Sequence, residues 1–151
     1  MDYNVAMQKK GFVFMIIMSV DLGKARTGIA ICDKTEFLAS PYTVIFEKSP
    51  AKLLEKVVQA AIDTKAERIV VGLPKNMDGS EGFRAEAVRA FVALLEKETN
   101  IPVALSDERL STCEAHRYIQ ASGKKRKEVV DTLSAQIILQ DYLDAERNRN
   151  R

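Results

Sequence analysis

At 151 residues, with 46% hydrophobic and 29% charged residues, the chain has the make-up of one globular domain around a single core and is too short for two. A net charge of +2 excludes no class of partner, and no stretch reaches the ~20 apolar residues of a membrane span. The two cysteines, Cys32 and Cys113, lack a CxxC spacing or a histidine partner, which argues against a zinc centre and a disulfide framework and for a reducing, cytoplasmic setting.

Residues Met1 to Lys10 are polar and aperiodic, and the reading is a flexible extension over residues 1–14 ahead of one domain, 15–146, with a basic tail at 147–151. Lys9-Lys10 followed by an apolar run superficially resembles a signal peptide, but no small-residue cleavage site separates that run from Asp21. Phe12 to Asp21 reads as a buried strand ending in a glycine turn, and Thr27 to Cys32 as the second strand. Phe37 to Phe46 is the third, with Pro41 predicting a bulge or an edge position.

Ser49-Pro50 starts a helix that runs to about Thr64, a capping hydroxyl preceding proline at the first helical position. Arg68 to Gly72 is the fourth strand, and the loop LPKNMDGSEG precedes a helix from Glu81 to Glu98. Ile101 to Ser106 is the fifth strand, and helices follow at Ser111 to Ala121 and Glu128 to Ala145. Three strands followed by alternating helix and strand imply an α/β fold: a three-strand antiparallel meander joined to two parallel strands in one mixed sheet flanked by helices.

Three acids stand where an unpaired charge is costly. Asp21 ends an apolar strand, Glu108 follows another, and Asp131 shares a helical stripe with Ala135, Ile138 and Tyr142. Taken singly each is readily structural, since Asp131 lies near a helix start and Glu108 has Arg109 beside it. Taken together they suggest a divalent metal site: two carboxylates ~4 Å apart repel by roughly 4 kcal/mol at an effective dielectric of 20, and a cation removes that penalty. Oxygen ligands without histidine or thiolate suit Mg²⁺ or Mn²⁺.

Basic residues gather around these acids. Lys24 and Arg26 occupy the turn after Asp21, and Lys75 and Asn76 lie in the loop after the fourth strand. Arg109 follows Glu108, and Lys124, Lys125, Arg126 and Lys127 precede the helix carrying Asp131. All are candidate contacts for a polyanion, though a solvated loop is the commoner explanation of any one cluster. His116 reads as structural. Few aromatics and no tryptophan argue against a base-stacking platform and for recognition of backbone and shape.

Four segments, VDLGKARTGIAICD, VVGLPKNMDGSEG, SDERLST and KRKEVVDTLSAQIILQDYL, resemble in order the motifs of the YqgF/RuvX family, nucleases linked to 5′-end maturation of the small-subunit ribosomal RNA precursor. The resemblance covers nearly everything from Met15 to Leu143 and implies a ribonuclease H-like fold, with Asp21, Glu108 and Asp131 at the family's catalytic acids. Relatives often begin near the first strand, which makes Met15 a candidate start. The expected activity is metal-dependent phosphodiester hydrolysis on precursor rRNA, with the ribosomal particle as a partner and the protein a monomer or homodimer. A Holliday-junction resolvase acting on branched DNA, or a noncatalytic RNA-binding module, remain alternatives. The turn after Asp21 also resembles the phosphate loop of actin-like and sugar-kinase ATPases, but those need a second similar domain.

Overall fold

The computed structural model describes residues 15–33, 38–108 and 126–149, the last segment with side chains from 132 onward. Its strands are β1 (Ile17–Asp21), β2 (Arg26–Cys32), β3 (Ser40–Phe46), β4 (Arg68–Leu73) and β5 (Val103–Asp107). Its helices are α1 (Pro50–Asp63), α2 (Phe83–Glu98) and α3 (Arg126–Arg149). The strands form one sheet in the order β3-β2-β1-β4-β5. β1 pairs antiparallel with β2 and parallel with β4, β2 antiparallel with β3, and β4 parallel with β5, which is the mixed sheet expected from the sequence. Pro41 falls on the edge strand and beside a break in register opposite Ile29 and Ala30, so both readings of that proline hold.

Alternation along the central strands divides the core into two layers. Met18 and Val20 of β1, with Ile69, Val71 and Leu73 of β4, face α1 and α2 and pack on Leu53, Val57, Val88 and Leu95. Ile17 of β1 and Val70 of β4 face the other way and pack under Ala135, Ile138, Leu139 and Leu143 of α3. α1 starts as its sequence dictates: Ser49 Oγ accepts from the Lys52 amide at 3.4 Å, and Pro50 occupies the first turn.

α3 lies antiparallel to β1 and β4. Near its end, Arg68 at the start of β4 donates to the Tyr142 hydroxyl at 2.6 Å. A little earlier on the helix, buried Ser19 of β1 donates to the Ala135 carbonyl at 2.6 Å. Its first turns therefore reach the end of the sheet where β1, β4 and β5 terminate.

Several boundaries move from the expected ones. α2 begins at Phe83 rather than Glu81, because the Ser80 amide and hydroxyl both turn back onto Asp78 Oδ1 (2.9 and 2.6 Å), leaving Gly82 as the helix cap. α3 continues past Ala145 to Arg149, through positions read as a tail. The helix expected over Ser111 to Ala121, the extension over 1–14, His116, Cys113, Arg109, Lys124 and Lys125 all lie outside the described residues.

Candidate active site

The site forms where three parallel strands end together. Val20 is in register with Val71, and Gly72 with Ser106, so Asp21 and Gly72 stand side by side and Glu108 follows one residue beyond the last pair of β4 and β5, Leu73 and Asp107. The Glu108 amide extends this pairing by donating to the Leu73 carbonyl at 3.3 Å. By alternation, Asp21 projects to the same face as Ser19, the face under α3.

Gly72 is what opens this face. A β-carbon built on it would stand 2.5 Å from Glu108 Oε2, 3.0 Å from Glu108 Cδ and 2.5 Å from Ile138 Cδ1. The Glu108 carboxylate thus occupies the space that any other side chain on β4 would fill. β1 and β5 are separated by β4, roughly 10 Å from axis to axis at ordinary strand spacing, so a carboxylate leaning over the glycine is how the two acids face each other.

The electrostatics follow from that placement. Glu108 is only 6% exposed, and its Oε2 has no hydrogen-bond partner among the described residues. Burial chiefly, and then the negative charge of Asp21, push its carboxyl up to about 8, while the Arg84 guanidinium pulls the other way. Asp21 is half-buried and engaged by a neighbour. A buried acid beside a second one, with an oxygen left over, offers hard donors that could hold a divalent cation.

The turn after Asp21 is set by Gly23, where a β-carbon would collide with the Arg26 carbonyl oxygen, and its amide donates to Thr27 Oγ1 at 3.4 Å. The turn leaves Lys24 exposed beside Asp21, and Arg26 opens β2 with a partner of its own. Lys75 sits 3.1 Å from Asp107 Oδ1, a bridge from the β4 loop to the end of β5. Asn76 closes its own loop: its side-chain amide donates to Ser80 Oγ at 2.9 Å and its backbone amide to the Ser80 carbonyl at 2.8 Å. Both residues have structural work beside any contact with substrate. Arg126, Lys127 and Asp131 lie on α3, with Asp131 one turn before Ala135 on the part of the helix leading to the strand ends, but their side chains are outside the described set. Among the described residues no three metal-ligating side chains cluster.

Gly72 and Arg84 belong to the site and were not singled out from the sequence. A glycine closing an apolar strand reads as the start of a turn, and an arginine in the first turn of an amphipathic helix reads as solvated. A cleft of about 340 Å³, walled by the β4 loop and the start of α2, joins Arg84 to the acid.

Comparison with known proteins gives one answer from sequence and from fold. A family model described as RuvX, Holliday junction resolvase, matches residues 15–145. A protein of Halothermothrix orenii named "Putative pre-16S rRNA nuclease" is 48% identical over 86% of this chain and 95% of its own. A protein of Natranaerobius thermophilus with the same name is 42% identical over 90% and 99%. Among solved structures, Thermus thermophilus RuvC superposes with a TM-score of 0.57 at 13% identity over 89% of this chain and 97% of that one. The fowlpox virus Holliday junction resolvase superposes with 0.53 at 14% identity over 87% and 99%. The fold is thus the ribonuclease H-like one of the resolvases, and the chain belongs to the RuvX family of nucleases, hydrolases acting on phosphodiester bonds.

Proposed function

We propose that this protein is a divalent-metal-dependent nuclease that cuts precursor ribosomal RNA in the cytoplasm during maturation of the 16S species, with Asp21, Glu108 and Asp131 holding the metal. The observation that carries the reading is the unpartnered, buried Glu108 oxygen facing Asp21 across the glycine of β4. The residues present fit a hard cation: the donors are carboxylate oxygens, and one is left without a proton donor. When bound, Mg²⁺ or Mn²⁺ supplies Lewis-acid stabilisation of charge on the scissile phosphate and activation of the attacking water.

The chain's own residues then bind and orient. Lys24 and Arg26, at the end of the sheet beside Asp21, meet phosphates of the nucleic-acid backbone, and Arg109, Lys124, Lys125, Arg126 and Lys127 supply further positive charge in the sequence. Lys75 and Asn76 act by holding the loop that walls the cleft. Arg84 favours the ionised form of buried Glu108, the form that would hold a cation.

The shared name of the curated relatives supports precursor 16S rRNA as substrate. The family description, and a RuvC structure determined with a Holliday junction, favour branched DNA as the second reading. One experiment separates them. Wild type and Asp21→Asn are incubated with precursor rRNA and with a four-way DNA junction, with and without Mg²⁺. Metal-dependent cleavage of the RNA alone, lost by at least about 10²-fold in the variant while the fold is retained, is expected. Undiminished cleavage by Asp21→Asn, or cleavage of the junction alone, overturns the assignment.

A further inference from the structure

Phe83 is the first residue of α2, and 77% of its surface is exposed. Met77, in the same loop, is 76% exposed. A single exposed apolar side chain is ordinary on a protein surface, so what such a residue means depends on where it stands. Phe83 differs from the other exposed large apolar residues among the described ones in its surroundings: it lines the cleft that ends on Glu108.

The next residue supplies the complementary chemistry. Arg84 also lines the cleft, is exposed, and makes no salt bridge among the described residues, while its charge is felt at Glu108. No side chain caps the first turn of α2, whose amide dipole therefore favours an anion at the same spot. Two neighbouring acids are engaged elsewhere, Glu81 with Arg89 at 2.6 Å and Asp78 with Ser80, which leaves Glu86 as the acid in the first turn. An aromatic face beside an unpaired guanidinium, opening onto the candidate active site, matches one nucleotide: phosphate on the cation, base on the ring.

We propose that the Phe83–Arg84 step at the head of α2 is a subsite for an unpaired nucleotide next to the scissile phosphate, with the Phe83 ring stacking on its base. A base can lie flat on a side chain only when it is out of the duplex stack, so the subsite selects strands that are single-stranded at the cut. This rests on the nuclease reading for its position in the reaction, but stacking is measured independently of cleavage. It also adds to the sequence reading, which gave recognition to backbone and shape: one aromatic suffices here because it stands at the site itself.

The test measures equilibrium binding, by fluorescence anisotropy, of a labelled single-stranded RNA oligonucleotide, the same strand in duplex, and a series with one abasic position each. Phe83→Ala should weaken single-strand binding roughly tenfold, and Phe83→Trp should hold or tighten it. One abasic position should cost wild type a similar factor and cost Phe83→Ala nothing, since the ring and the base are then removed from the same pair. Because Phe83 is exposed, both variants should melt with the wild type. Equal abasic penalties in wild type and Phe83→Ala, or equal affinity of Phe83→Ala for the intact strand, overturn the subsite. So does a Phe83→Ala defect seen only in self-association or in binding another protein. Cleavage measured in parallel with Asp21→Asn reports on the nuclease reading separately, because that readout can fail while the stacking cycle succeeds.

Discussion

Glu108 has a titration that can be followed without any substrate. Its folded-state carboxyl stands at about 8 against an ordinary 4.5, so between those values the folded protein holds a proton that the unfolded chain has released. Stability from this residue is therefore complete below pH ~4.5, falls as pH rises, and is gone above about 8, at a cost of a few kcal/mol. Chemical denaturation of metal-free protein across that range should show the decline, and Glu108→Gln should flatten it and be the more stable form at the alkaline end. A variant that keeps the wild-type slope would place the titration elsewhere. Asp21 and Glu108 were legible in the sequence because a charge at the end of an apolar strand breaks the pattern around it. Their relation was not, since it depends on Gly72, two strands' worth of register and the lean of one side chain.

At the level of elements, α3 is the part that must be held in place, because it carries Asp131. Gln136 and Gln140 tie it to Ala39 just ahead of β3, and two further hydrogen bonds meet β1 and β4 at different distances from the site: Ser19 to the Ala135 carbonyl near the strand ends, and Arg68 to Tyr142 at the opposite end. Each should contribute about 1 kcal/mol, and Ser19→Ala and Tyr142→Phe should each lower Tm by roughly 2–4 °C. Their effects on turnover should differ, with Ser19→Ala losing several-fold in kcat and Tyr142→Phe keeping wild-type rates. Equal losses in both would mean that α3 responds as a rigid whole. The elements themselves were readable from period and caps, as Ser49-Pro50 and the stripe through Ala135 and Ile138 show. The start of α2 was not, because Asp78 accepts from both the amide and the hydroxyl of Ser80 and holds the chain in a turn up to Gly82.

For the molecule as a whole, the sheet order follows from simple pieces: a meander, then two parallel additions on the other side of β1. The meander and the two parallel strands were implied by the succession of strands and helices, but the order in which they join was not, and only pairing places β1, β4 and β5 side by side with their ends together. Uncompensated acid at that pocket lowers the stability of the metal-free protein, and a cation should restore it by mass action. Saturation with Mg²⁺ at 100 times its Kd should add about 2.7 kcal/mol, read as a rise in Tm of several degrees. The rise should be larger at pH 8 than at pH 5, where the proton on Glu108 competes. Asp21→Asn should show little of it, and an Mg²⁺-insensitive melt in the wild type would remove the metal from the scheme.

The missing β-carbon at position 72 makes the two acids neighbours by leaving a vacancy the width of a methyl group. Filling it is the smallest edit that should disarm the protein while sparing its architecture. Gly72→Ala must push both Glu108 and Ile138 aside, at a strain of about 1–3 kcal/mol. Such a variant should still fold and still hold nucleic acid through Lys24 and Arg26, yet respond weakly to Mg²⁺ and cut slowly. It would offer a means to trap the bound substrate with every charged residue of the pocket still in the chain.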